Sequence, residues 1–358
     1  MKFGFTAAPV GPKGRSDEEL YRETLEDCTY GQELGFDSAW ALEHHFTPYF
    51  PTPDLMVYLA HIAARCPGLG LGTCVIVLPW HHPLRLAEQI AMLSLLSQGD
   101  LYLGLGRGTA RYEFDRFGID MAHTREIFKE ELEIIRLALK GEPFSYQGRH
   151  FQIPETRIRP FANPERVKIF GAIGSPASAE TMAELGLPIM HTSNFPDEKA
   201  AGFVAQWQAR IGAGERETRE FEFPILLNPT IVAPTDAEAR EMAHAYYPHF
   251  ARVQMNHYET KDDYWKDIPG YEVHSRFFAN LGRMVDDFEF RDKFLNLQLV
   301  GAPKTVIRRI EVLRDKLKVG HVVSAHALYE MDQPLRRRSM KLFAEEVIPH
   351  FRKAAAAA

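Results

Sequence analysis

A chain of 358 residues, 45% hydrophobic and 25% charged, has the make-up of a globular protein and is longer than one ordinary core needs. Its 42 basic and 48 acidic side chains leave a net charge of −6, which argues against a nucleic-acid partner. Three cysteines (Cys28, Cys66 and Cys74) with no CxxC pair exclude a disulfide framework and a zinc ribbon and point to a reducing compartment, the cytoplasm. The opening MKFGFTAAPVGPKG is too short in apolar residues for a signal peptide, and no stretch approaches the ~18 apolar residues of a membrane span.

Short apolar strands alternate with amphipathic helices from the start. A strand at 2–7 precedes a helix at 16–35, opened by a Ser16/Glu19 capping box and stopped by Gly35. Strands at 36–43, 70–79 and 100–106 precede helices at 53–66, 83–99 and 124–141. A Pro-, Gly- and aromatic-rich excursion at 142–167 breaks the rhythm. It resumes with strands at 168–174, 187–194 and 221–233, and helices at 178–186, near 197–212 and at 236–250. An aromatic, polar stretch from 251 to about 298 precedes a helix at 302–317, a strand at 320–327 and a helix at 334–351. Eight strands, each followed by helix, predict an α/β fold of the (β/α)8 TIM-barrel type, with insertions at the C-terminal face of the strands; a doubly wound sheet is the rival. The pattern reads as one unit over 1–353, then an Ala-rich tail at 354–358 with no part in it. The basic run at 336–338 reads as a solvated helix face.

In a barrel, chemistry gathers at the carboxyl ends of the strands. Those ends here carry Glu43-His44-His45, the segment from Cys74 to Trp80-His81-His82, Gly104 to Arg107, Gly174 to Ser178, His191 to Asn194, and Asn228. For EHH, a metal site, an acid/base site and a hydrogen-bonded loop compete. Adjacent strand residues point to opposite faces and no HExxH motif is present, so no metal is expected. His45, His81 and His82 suit a hydrogen-bonded loop, while His44 suits proton transfer because an imidazole titrates near neutrality. LGLGRG is not a dinucleotide fingerprint, since Thr109 stands where the third glycine belongs. Gly106 lets a flat ligand approach the backbone and Arg107 grips an anion, or pairs instead with Glu113 or Asp115. In GAIGSPAS, Gly174, Ser175 and Ser178 form either a phosphate loop at a helix start or a plain serine cap. The stretch 246–278 is aromatic-rich yet too polar for core, and reads as a lid or a contact loop.

Several blocks in order, GFDSAWALEHHF, LGLGTCVIVLPWHHPLRLAEQIAMLSLLSQG, LYLGLGRG, FDRFGIDMAHTREIF, GSPASAETMAELGLPIM and VGAPKTVIRRIEVLRDKLKVGHVV, resemble the bacterial luciferase-like, flavin-dependent monooxygenases, the luciferase alpha chain among them. The resemblance implies a TIM barrel that binds FMN as FMNH2 and reacts it with O2 to a C4a-peroxyflavin. It implies Glu43 and His44 as the catalytic strand-end pair, with His44 the acid/base. Arg107, Ser175 and Ser178 match the family's phosphate ligands. Thr73, Cys74 and Val75 match the segment lying against the flavin ring, where a non-proline cis peptide is expected. It also implies a separate flavin reductase, a homodimer formed through the early barrel helices, and an apolar substrate such as an aldehyde, a ketone or a terpenoid or polyketide. The aromatics Phe144, Tyr146, Phe151, Tyr264, Trp265 and Tyr271 are expected to shape its pocket. Gly106 departs from the light-emitting chain, which has cysteine there. Two alternatives follow: an F420-dependent oxidoreductase of the same fold, and a non-catalytic flavin-binding partner subunit, against which His44 argues.

Overall fold

The computed structural model describes residues 1–211 and 223–356. Twelve strands run in chain order: β1 (Lys2–Thr6), β2 (Ser38–Ala41), β3 (Gly70–Val77), β4 (Leu101–Gly106), β5 (Phe144–Gln147), β6 (Gln152–Thr156), β7 (Val167–Ala172), β8 (Ile189–Thr192), β9 (Phe223–Leu227), β10 (Thr230–Val232), β11 (Leu299–Gly301) and β12 (Val319–Ser324). Eight of them close a parallel barrel in the order β1-β2-β3-β4-β7-β8-β9-β12, with β12 returning to β1, as a (β/α)8 barrel requires. Parallel strands covered by helices are buried on both faces, which is why these segments read as unbroken apolar runs.

The barrel floor is a plug. The fully buried Trp40 indole lies across the interior, stacked on Tyr102 at 5.7 Å and edge-on to His321 at 5.1 Å. Gly4 and Gly72 face it from the two flanking strands, and a Cβ on either would collide with its ring. Its Nε1 donates to Ser38 Oγ (2.8 Å), which in turn meets His321 Nε2 (2.9 Å). The open space is left at the carboxyl ends.

Three expectations change. The strand expected at 221–233 is two strands; its first two residues, like residue 212 of the preceding helix and the last two of the Ala-rich tail, lie outside the described residues. The break is a cis Asn228-Pro229 bond, after which β10 leaves the barrel to pair with β11. The stretch after 250 is mostly helical. The helix Asp236–His257 runs seven residues past its expected end, and the helices Glu272–Phe278, Leu281–Asp286 and Phe288–Leu295 follow. Its aromatics are core rather than too polar for it: Trp265, Tyr271 and Phe278 are buried together with Tyr247, Phe250 and Tyr258 in a second apolar cluster. Arg336, read as solvated, is 1% exposed. It donates to Asp27 Oδ2 (2.5 Å) and the Val10 carbonyl (3.2 Å) and lies 3.4 Å from Glu23. Those partners are some 300 residues away in the chain, which helical spacing cannot reveal; Arg338 alone of the three is mainly solvated.

Helix Thr124–Leu139 buries Phe128, Leu132 and Ile135, and places Glu131 on the same inner face, 1% exposed and with neither carboxyl oxygen hydrogen-bonded among the described residues. Burial pushes its pKa up to about 10, so the folded protein holds the proton while the unfolded chain releases it above 4.5. Stability is therefore lost as pH rises through that window, by about 3–4 kcal/mol from pH 5 to 8. Glu131→Gln is expected to match the wild type at pH 5 and to exceed it increasingly toward pH 8, read by urea unfolding at the two pH values.

Candidate active site

A cavity of about 280 Å³ opens at the carboxyl ends of the strands, roofed by the insertion that follows β9 and β10. One pole is cationic. Arg107, just beyond β4, is half of a pair, because Arg125, which the strand ends do not mark, lines the same pole from the first turn of helix Thr124–Leu139. A cation there opposes the helix dipole, and that mismatch was the available signal. Both guanidinium groups converge on Gly270: a Cβ at that glycine would stand 2.6 Å from Arg125 Nη2 and 3.6 Å from Arg107 Nη1. Arg107 pairs with neither Glu113 nor Asp115. Its Nη2 donates to the Gly270 carbonyl (3.1 Å), the Tyr271 ring lies 4.7 Å below it, and Nη1 is buried with no partner among the described residues.

The Gly174–Ser178 loop lines the same cavity through Gly174, Ser175 and Ser178. Helix Pro176–Glu184 begins earlier than expected, with Ser175 as N-cap and Ser178 at its third position. The serines form a reciprocal box: Ser178 N–H donates to Ser175 Oγ (3.1 Å), and the N–H groups of Gly174 and Ser175 donate to Ser178 Oγ (3.0 and 2.9 Å). These N–H groups lie at a helix N-terminus, where the dipole favours negative charge.

The wall between the poles is β3 and β4. The Cys74-Val75 bond is cis, within the segment where a cis peptide was expected. The β3–β4 register shifts between Cys74 and Ile76, so Val75 bulges toward the cavity, which it and Cys74 line. A Cβ on Gly106 would fall 2.5 Å from Val75 Cγ2, so this glycine makes room for Val75 as well as lining the site. Thr73 does not reach the cavity. It is fully buried in the barrel wall and donates to the Gly104 carbonyl (3.0 Å), because alternation along β3 turns it away from Cys74.

The second pole holds the histidines. Leu42 to His45 leave β2 toward the cavity, and the alternation separates their roles. Glu43 is 2% exposed with both oxygens engaged: Oε2 accepts from Val77 N–H (2.8 Å), and Oε1 meets His81 Nε2 (2.8 Å) and His45 Nε2 (3.4 Å). Burial would raise its pKa, but these partners outweigh that and lower it. His44 points the other way. Its Nδ1 faces Glu113 Oε1 (3.4 Å), which also accepts the His45 N–H (2.6 Å), and Glu113 Oε2 lies 3.5 Å from His257 Nε2. Thr47 Oγ1 meets His257 Nδ1 (2.7 Å). Burial alone would push Glu113 up, yet the two imidazoles hold its pKa at about 2. His44, Glu113 and His257 offer ligand-type atoms within 4.8 Å of one another, although one Glu113 oxygen is already taken by His45. Glu113 and His257 were invisible as a site in the sequence, since they lie 69 and 213 residues beyond His44.

Trp80, Tyr49, Tyr258, Phe277 and Phe278 supply the apolar walls. A contiguous recess of about 70 Å³ lies between Tyr49, Phe50, Tyr247 and Phe250, with Asn228 and Gln254 each presenting a buried amide oxygen without a partner. Of the six aromatics expected around a substrate, none lines either cavity. Phe144, Tyr146 and Phe151 belong to the β5–β6 hairpin, whose tip is bound from outside by the Glu130 carboxylate. Tyr264 and Trp265 donate to the Thr109 carbonyl beneath the roof. His191 also turns away, buried against Phe223, and burial lowers its pKa to about 4.

Among sequence relatives, the alkanal monooxygenase alpha chain of Photorhabdus luminescens is 25% identical over 99% of this chain and 98% of its own. Among solved structures, the monooxygenase RslO1 of Streptomyces bottropensis superposes with a TM-score of 0.82 at 26% identity, covering 98% of this chain and 100% of that one. The FMN-complexed oxygenating constituent of 3,6-diketocamphane monooxygenase of Pseudomonas putida gives 0.75 at 20%, covering 98% of each. An F420-dependent secondary alcohol dehydrogenase gives 0.74 at 15%, covering 97% and 98%; at these last two identities only the fold is shared ground. The family model described as luciferase-like monooxygenase matches residues 1–317, and the chain belongs to that family.

Proposed function

We propose that this protein is the oxygenase component of a two-component flavin system, taking FMNH2 from a separate flavin reductase and using O2 to oxygenate an apolar substrate such as an aldehyde, a ketone or a terpenoid or polyketide. The observation that carries this reading is the cationic pole: two guanidinium groups, one with a buried nitrogen unpartnered among the described residues, in one cavity with a serine-capped helix start. That donor set suits a terminal phosphate, and the cis Cys74-Val75 wall offers a flat apolar surface for a ring system. When bound, reduced FMN supplies the two electrons with which O2 gives one atom to substrate and one to water.

The chain's own residues do the rest. Arg107, Arg125, Ser175 and Ser178 hold the phosphate, while Cys74, Val75, Gly106 and Gly174 shape the bed. His44, with Nδ1 toward Glu113, exchanges a proton with the reacting atoms through Nε2. Glu43, with both oxygens engaged, positions β2, β3 and His81. The aromatic roof excludes water. The neighbour that is itself an oxygenating constituent supports a separate reductase. Val57, Met92, Leu95 and Leu96 lie exposed on the adjacent helices Leu55–Arg65 and Pro83–Leu96, an apolar face suited to a second copy of the chain.

The test is an anaerobic binding panel of FMNH2, reduced riboflavin and reduced F420, followed by mixing with oxygenated buffer. FMNH2 is expected to bind best, with the return of oxidised-flavin absorbance slowed at least about tenfold relative to free FMNH2. Preference for F420, with no effect on FMNH2 oxidation, would replace this reading with hydride transfer in the same fold.

A further inference from the structure

The roof reaches the cationic pole through a single short segment. The Gly270 carbonyl accepts from Arg107, the Tyr271 ring lies under the same guanidinium, and the Tyr271 hydroxyl meets Thr124 Oγ1 (2.8 Å), the residue before Arg125. One turn on, His274 lines the cavity, with Cε1 3.7 Å from the place where a Cβ on Gly174 would stand. Its ring packs near Tyr271 and Phe278, and neither ring nitrogen has a hydrogen-bond partner among the described residues. A roof that needed only to exclude water would place an apolar side chain here, as it does at Phe277 and Phe278.

We propose that His274 is the roof's own phosphate ligand: it completes the pole formed by Arg107, Arg125 and the Gly174–Ser178 loop, and it takes up a proton when the cofactor's phosphate arrives. This rests on the phosphate-bearing flavin reading above. Closure of the roof is then driven by the phosphate rather than by the ring system, and it holds cofactor that has been handed over by another protein.

The charged and titratable groups around the imidazole are Arg107 from the end of β4, Arg125 from helix Thr124–Leu139, and Tyr271 and Glu272 on its own segment. The Glu272 carboxylate is turned to the Gly270 N–H (3.1 Å). Burial, and after it Arg107, lower the imidazole pKa to about 4, so without ligand it is neutral at pH 7. A phosphate dianion beside it reverses the electrostatics and raises that pKa. The dianion's own second pKa lies near 6, so at pH 7.5 it contributes little to the proton balance. Affinity for the phosphate-bearing form accordingly falls as pH rises through the new, higher pKa of His274, while affinity for the ring alone does not follow that titration.

Anaerobic titration calorimetry of the full chain tests this at pH 7.5, in buffers of different ionisation enthalpy, with photoreduced FMN and photoreduced riboflavin. The wild type is expected to take up about one proton more with FMNH2 than with reduced riboflavin. His274→Gln should lose that proton and about tenfold in FMNH2 affinity, with riboflavin affinity unchanged. His274→Lys, which keeps a cation, should restore affinity without the pH dependence. Equal proton counts in wild type and His274→Gln overturn the proposal, as does an equal loss of affinity for both ligands, which would mean that the imidazole only props the roof. If the wild type itself fails to prefer FMNH2 over reduced riboflavin, the phosphate reading falls and this proposal with it.

Discussion

Arg107→Ala is expected to weaken FMNH2 binding by about two to three orders of magnitude, leaving reduced riboflavin affected far less. The size follows from burial. The guanidinium is enclosed, one nitrogen spent on the Gly270 carbonyl and another unpartnered among the described residues. A buried cation in that state is costly until an anion completes it, so its removal subtracts the phosphate interaction while relieving the free protein. The variant should therefore unfold at a urea concentration equal to or above that of the wild type, a sign opposite to that of an ordinary core truncation. Arg107→Lys should recover only part of the affinity, because a single ammonium cannot donate to Gly270 and to a phosphate in the planar fork that Arg107 presents. Fluorescence quenching under nitrogen gives both affinities, and a loss equal for the two flavins would move Arg107 from phosphate holding to general support of the roof.

The fold was legible because its signal is local and repeated. Each strand is short and apolar on both faces, each helix carries a stripe, and the Ser16/Glu19 capping box forms as read. Strand ends located much of the cavity lining for the same reason: closing a barrel brings all eight carboxyl ends together whatever the loops do. What stayed hidden depends on distance in space. Arg336 looked solvated because its acids, Asp27 and Glu23, sit on the first helix. Glu113 and Arg125 line the cavity, and His257 backs Glu113, only because helices beyond the strand ends fold over the mouth. The aromatic insertion misled in the opposite direction. Its tyrosines and tryptophan looked exposed because charged residues alternate with them, yet their rings make a second core and their polar tips meet the Thr109 carbonyl, Thr124 and the Arg111 N–H. Thr73 shows the limit of carrying a segment over whole, since one residue along a strand is the difference between wall and cavity.

His44→Ala is expected to lower product formation by about 10²- to 10⁴-fold, the usual contribution of a positioned proton-transfer group, while FMNH2 affinity changes by no more than about twofold. The separation is geometric. His44 packs among aromatic rings, 4.6 Å from Tyr49 and 4.7 Å from His257, and no contact ties it to Arg107, Arg125 or the Gly174–Ser178 loop among the described residues. Flavin oxidation should continue in the variant, with the oxygen leaving as H2O2, so oxygen uptake persists while coupling to substrate collapses. Glu113 does not replace the lost proton carrier: with its pKa near 2 it remains a carboxylate throughout the working range and serves to orient His44 and His257. Glu113→Gln should therefore retain more activity than His44→Ala, because the amide keeps a hydrogen-bond acceptor between the two imidazoles. The readout is the ratio of product to H2O2 across pH with a ketone and aldehyde panel. Full coupling in His44→Ala would pass the proton role to His257, the next imidazole on the same carboxylate and the one whose ring is held by Thr47.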